Sequence, residues 1–171
     1  MILPAVRDPR LVTIRRGGSL TDADHRALAL WSADCAEHVL PLFEREQTSD
    51  TRPRDAIAAV RSWATGSLPM MDSRARGGHA MGAARPLTGA ARFAAYAAGQ
   101  AACVAHVPEH DLGAAAYAIK AAMAAGPTDD PAEVRLAERD WQRAQLPVHL
   151  RSLVFDDQAR RNSICWNLFN S

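Results

Sequence analysis

Apolar positions recur along most of this chain at steps of three and four, the period that lines up one face of an α-helix. From Leu28 through Trp31, Cys35, Val39 and Leu42 the stripe is continuous. Thr21 precedes it as N-cap, with Asp24 three residues on in a carboxylate variant of the capping box. Pro41 has no amide hydrogen, so it is expected to kink or end this first helix. After a loop over 47–53, a second helix is expected from about Pro53 to Thr65. Ala56, Ile57, Val60, Trp63 and Ala64 form its inner stripe and Gly66 its stop.

The stretch 67–88 is ambiguous. Gly77-Gly78 argues for a break, whereas Met70, Met71 and Met81 argue for partial burial. An alanine-rich helix follows over Leu87 to Ala105, with Ala90, Ala94, Ala97, Ala101 and Ala105 as a smooth face for a close neighbour. Pro108 at the first helical position opens another helix, which Gly126-Pro127 stops. Asp130 as cap, Pro131 at the first position and Glu133 near the positive end start the next. Val134, Ala137, Trp141 and Ala144 are its expected core stripe. Beyond Pro147, an apolar face of Ile164, Cys165, Leu168 and Phe169 is expected, with Trp166 covering one edge. Leu11 to Ile14 is β-branched enough for one short strand, or else belongs to an arm that packs on the helices. The pattern predicts an all-α chain of about six or seven mostly antiparallel helices joined by short loops. Residues 1–19 would be the arm and 20–171 a single helical domain.

Composition sharpens this picture. Hydrophobic residues are 48% of the 171 and charged residues 23%, which suits a packed core rather than extended disorder. About a fifth of the chain is alanine, the best helix former. The formal net charge is +1, and the basic pairs Arg15-Arg16 and Arg160-Arg161 are small, so a nucleic-acid partner is not expected. The start, Met1-Ile2-Leu3-Pro4, lacks the features of a signal peptide, and no apolar run reaches membrane-spanning length. No membrane partner and a cytoplasmic location are expected. Cys35, Cys103 and Cys165 are widely spaced in apolar helical contexts and read as buried thiols.

No nucleotide-binding glycine loop, zinc-protease helix, Cys-x-x-Cys or nucleophile elbow is present, and no cofactor is expected. Several polar groups could still line a pocket between helices. Asp34 and His38 are four apart on the first helix, so the carboxylate could orient the imidazole. His106 and His110 are four apart beside Asp111, which reads as helix-start capping in preference to a metal site. His110, Tyr117 and Lys120, the chain's one lysine, fall on one stripe and could hold an anion. Glu138, Trp141 and Gln142 cluster on one turn, either packing inside or offering a binding hot spot.

These residues also carry a resemblance. Leu20-Thr21-Asp22-Ala23-Asp24-His25-Arg26 and Trp31 to Leu40 look like the start of bacterial immunity proteins with an Imm-5-like domain. Arg52-Pro53-Arg54, Ala105-His106-Val107, Tyr117 to Ala121, Glu138-Arg139 with Trp141-Gln142, and Ile164-Cys165-Trp166 are similar to later segments of that family. The resemblance spans roughly residues 10 to 169 and departs most over 67–88. It implies an all-helical protein that binds and neutralises a partner toxin, and it brings no catalytic residues with it. Arg52, Arg54, Trp63, Trp141, Gln142 and Trp166 are then the candidate partner contacts. The alternative is a small-molecule-binding protein or enzyme of secondary metabolism, with Asp34, His38, His106, His110, Tyr117 and Lys120 lining its pocket. A homo-oligomer formed through the alanine-rich helices is compatible with either.

Overall fold

In the computed structural model, residues 2–127 and 130–171 are described; Met1, the first residue of the expected arm, lies outside them. Seven α-helices follow one another: α1 (Asp22–Glu44), α2 (Arg52–Ala64), α3 (Met70–Ala84), α4 (Gly89–Cys103), α5 (Asp111–Ala125), α6 (Pro131–Gln145) and α7 (Arg151–Arg161). Two of the expected caps form as drawn. Thr21 Oγ1 accepts from the Asp24 amide at 3.1 Å, and Asp130 Oδ1 from the Glu133 amide at 2.9 Å. Cross-helix contacts fix the directions. Arg54 meets Glu44 while Arg61 meets Asp34, so α1 and α2 are antiparallel. Ser73 meets Ala102 while Gln100 meets Met81, so α3 and α4 are too.

No strand forms among the described residues. The segment before α1 makes two short 3-10 turns, Pro9–Leu11 and Ile14–Arg16, and one isolated bridge between Thr13 and Leu20. A lone β-branched run has no neighbouring strand to complete its hydrogen bonds. Ile2, Leu11 and Leu20 bury themselves instead against the helical core.

Two positions that carry local break signals lie inside helices. α1 runs through Pro41 to Glu44. Pro41 and Glu37, whose carbonyl loses its partner, both lie on the exposed face, where water can satisfy that oxygen. α3 runs through Gly77 and Gly78. Gly77 is buried against α4, and a Cβ on it would stand 2.7 Å from the Gly99 carbonyl oxygen and 2.9 Å from Cys103 Sγ. The glycine that looked like a breaker permits a backbone approach that holds the helix in place.

α4 is the hub, packed against α1, α2, α3 and α5. Ala91, Ala94, Ala95, Ala97, Ala98, Ala101 and Ala102 are buried nearly all the way round it. Trp31, Phe43, Leu28, Leu112 and Ile119 supply the bulk around this thin axis. α6 departs from expectation. Ala137 and Ala144 are exposed, and the buried positions are Glu138, Arg139 and Gln142. This polar buried face is satisfied by the Ala115 and Asn170 carbonyls, the Asp140 carboxylate, the His38 ring and a bond between Gln142 and Glu138. Past α7 the chain turns back with Cys165, Leu168 and Phe169 inside, while Ile164 is exposed.

The two glycine environments give opposite mutational signs. A Cβ on Gly99 would lie 2.5 Å from Met81 Cγ and 2.9 Å from the Gly77 carbonyl oxygen, whereas one on Gly78 meets open space. Gly99→Ala should destabilise by about 1–3 kcal/mol through overpacking. Gly78→Ala should stabilise by about 0.5–1 kcal/mol through helix propensity. Urea unfolding of both variants measures the contrast, and equal effects would deny the close α3–α4 contact.

Candidate functional site

The polar residues expected to line one pocket are spread among separate partners. Asp34 faces α2, where Arg61 donates to it at 2.8 Å and to Glu37 at 2.7 and 2.8 Å. His38 faces α6: its Nδ1–H donates to Glu138 Oε2 at 2.9 Å, and its ring stacks on Trp141 at 3.6 Å and 13°. Asp34 and His38 therefore share a helix but engage different neighbours. His106 Nδ1 lies 3.2 Å from Met70 Sδ. His110 donates from Nδ1 to Gln100 Oε1 at 2.7 Å. Asp111 Oδ1 accepts from the Leu112 amide and from Arg161. The His106, His110 and Asp111 side chains thus go three ways, and neither histidine ring caps a helix.

The partner candidates also separate. Arg52 pairs with Asp50 and Arg54 with Glu44, each on the surface with its charge matched. Trp63 is half-buried, 4.8 Å from the His25 ring. Gln142 is wholly buried and cannot reach a partner, because its Nε2 donates to Glu138 Oε1 and the Ala115 carbonyl. Trp31 completes this junction by donating from Nε1 to the Gln142 carbonyl oxygen at 2.8 Å.

Tyr117 and Lys120 do come together, and Trp166 joins them. Phe93 and Tyr96 on α4 face Tyr117 and Lys120 on α5, because three-residue steps stack side chains on one helix face. Tyr96 and Tyr117 lie 5.1 Å apart, and the Trp166 ring meets Tyr117 edge-on at 5.2 Å. Lys120 Nζ sits 4.6 Å from the Phe93 centroid and 4.1 Å from that of Trp166. Arg92 lies over Tyr96 at 5.5 Å. The result is an open groove of about 410 Å³ whose lining contains two cations and no carboxylate. Burial lowers the Lys120 pKa, and ring faces stand in for part of its lost hydration.

Trp166 reaches the groove through unusual backbone. Both Trp166 and Asn167 have φ of 57°, in the left-handed region that bulky residues rarely adopt. The turn is held from inside. The Asn167 amide donates to the Asn162 carbonyl at 2.8 Å, and the Phe169 amide to Asn162 Oδ1 at 3.0 Å. Three arginines at four-residue steps on α6 grip the following carbonyls: Arg135 those of Leu168 and Asn170, Arg139 that of Asn170, and Arg143 that of Phe169. Phe93, Tyr96 and Arg92 went unremarked in the sequence, although two aromatics three apart on an alanine helix were a readable signal.

The three thiols are free and buried. Burial raises the pKa of each, that of Cys165 to about 12, so none is a ready nucleophile. No group of His, Cys, Asp and Glu among the described residues has the geometry to hold a metal ion. No helix among them is long and apolar enough to cross a membrane.

Fold and groove define an all-α protein with a cation-bearing aromatic surface. Residues 18–149 match the family described as Imm-5 like putative immunity protein, and the chain belongs to that family. No curated protein and no solved structure matches it.

His110 makes stability depend on pH. Burial first, then the neighbouring His106 and Arg161, lowers its pKa from 6.5 to about 4 in the folded state. As pH falls, the unfolded chain binds this proton before the folded one does. The contribution is therefore complete above about pH 6.5 and is lost as pH drops through 4, on the order of 3 kcal/mol in all. His110→Asn keeps a donor for Gln100 and should flatten the stability curve between pH 4 and 6.5. Denaturation at a series of pH values tests this, and an unchanged slope would refute it.

Proposed function

We propose that this protein works in the cytoplasm of the producing cell by binding a protein toxin, with no turnover of its own, and that the groove around Lys120 anchors the partner. The carrying observation is the groove itself: four aromatic rings and two cations, with no carboxylate among the described residues paired to Arg92 or Lys120. Aromatic and cationic groups that exclude water from one another are the usual energetic centre of a protein interface. A partner bearing an acidic patch with an apolar rim fits this chemistry. The family supports the same reading, since its description is that of an immunity protein.

The enzyme reading has less support. Asp34, His38, His110 and Lys120 engage separate neighbours and do not converge on one constellation. Arg52 and Arg54 remain available at the surface, but each is already neutralised by a carboxylate.

The test uses a purified toxin that the protein is first shown to neutralise on co-expression. In calorimetric titration, Trp166→Ala and Lys120→Ala should each weaken the complex by about 2 kcal/mol or more, roughly thirtyfold. Arg54→Ala should change it by less than about 0.5 kcal/mol. A folded Trp166→Ala/Lys120→Ala double variant that binds and protects like the parent would dismiss the groove. A folded His38→Ala variant that loses a small-molecule conversion would dismiss the binding-only reading.

A further inference from the structure

A second concave site lies where the N-terminal segment crosses the start of α1 and the corner between α4 and α5. It encloses about 290 Å³. Four arginines line it, Arg7, Arg15, Arg16 and Arg26, together with His25 and His106. Asp22 is the one carboxylate in the lining.

Two of the four guanidinium groups are already matched. Arg7 donates to the buried Glu109 carboxylate at 2.9 and 2.5 Å, and Arg15 to Asp22 at 2.6 Å. The Arg16 and Arg26 side chains make no ion pair or hydrogen bond among the described residues. Two positive charges are thus left over on a concave surface. His106 senses the same field: burial lowers its pKa, and repulsion from Arg74, Arg16 and Arg7 lowers it further. Trp63, Met70 and Pro108 add apolar and aromatic surface to the same lining.

We infer that this cavity binds a phosphate dianion, free or as the head of an organic monoester, held between Arg16 and Arg26. The charge count selects the ligand. Two unmatched guanidinium groups balance one phosphate, which carries about −1.5 to −2 at neutral pH, and their planar forks suit its oxygens. The organic part of a monoester would rest against Trp63. Because Arg16 belongs to the N-terminal segment and Arg26 to α1, the bound anion ties the two together. The site would be a ligand-dependent clamp on the segment before α1, independent of the groove at Lys120.

The experiment uses the full chain with inorganic phosphate, phenyl phosphate and a short oligoglutamate peptide, each against sodium chloride at matched ionic strength. Thermal unfolding and the NMR titration of His106 are the readouts. Both phosphates should raise the melting temperature and shift the His106 pKa upward. Arg16→Gln and Arg26→Gln should each weaken phosphate binding about tenfold or more, the loss expected for a charge-assisted hydrogen bond. Tighter binding of phenyl phosphate than of phosphate assigns a monoester, and equal binding assigns the free ion; either upholds a phosphate site. An equal response to chloride, undiminished binding in the Arg16→Gln/Arg26→Gln double variant, or a response to oligoglutamate alone would overturn it. Trp166→Ala should leave all of these readouts unchanged, which separates this site from the toxin surface.

Discussion

Arg161 carries a full positive charge where water scarcely reaches, and both ends of the chain are positioned through it. Its guanidinium pairs with Asp157 through both oxygens, donates to Asp111 Oδ1 at 2.9 Å, and donates to the Glu109 carbonyl at 2.7 Å. Taking such a charge out of water costs several kcal/mol unless every donor finds an acceptor. Here the compensation extends outward. Glu109 holds Arg7 and Asp157 holds Arg160, so three carboxylates meet three guanidinium groups. Asp111 bears the strain of this arrangement. Its Oδ2 has no hydrogen-bond partner among the described residues, and burial, aided by Asp157, raises its pKa against the pull of Arg161. One clasp thereby joins the N-terminal segment, the start of α5 and α7.

Such a clasp matters more because the core is thin. Alanine buries little apolar area, so each residue of α4 contributes less than a leucine would. What small side chains allow instead is close approach, seen where Gly77 and Gly99 leave no room for a Cβ. Close-packed smooth helices have few large knobs to fix their register. Directional contacts supply it: Ser73 to the Ala102 carbonyl and Gln142 to the Ala115 carbonyl inside, and Arg61 to Asp34 and Glu37 nearer the surface.

Helix number and most helix starts were legible because caps and apolar period are local properties. Thr21 and Asp130 acted as their chemistry requires. The failures were of another kind. Pro41 and Gly77 obey local rules that tertiary placement overrides, the one by lying on a wet face and the other by lying against a backbone. α6 was misread because its buried face is built of glutamate, arginine and glutamine, whose partners lie far along the chain. Arg160-Arg161 counted in the sequence only as a small basic pair, yet Arg161 is interior. Of the expected pocket residues, only Tyr117 and Lys120 share a groove, since a one-helix stripe specifies a face and not what another helix brings to it.

The groove gains from how completely it is arranged before any partner arrives. A free tryptophan or lysine loses rotamer freedom on binding, which subtracts from affinity. Trp166 is already pinned by a left-handed turn whose following carbonyls Arg135, Arg139 and Arg143 hold. Lys120 is already seated between Phe93 and Trp166. A bulky residue held in a disfavoured conformation persists only when its surroundings over-determine it, and such strain gathers at sites that must present one geometry. On the proposed function, the arginine ladder on α6 therefore serves recognition as well as packing. By holding the carbonyls that follow Trp166, it braces the turn that presents this ring to Tyr117 and Lys120.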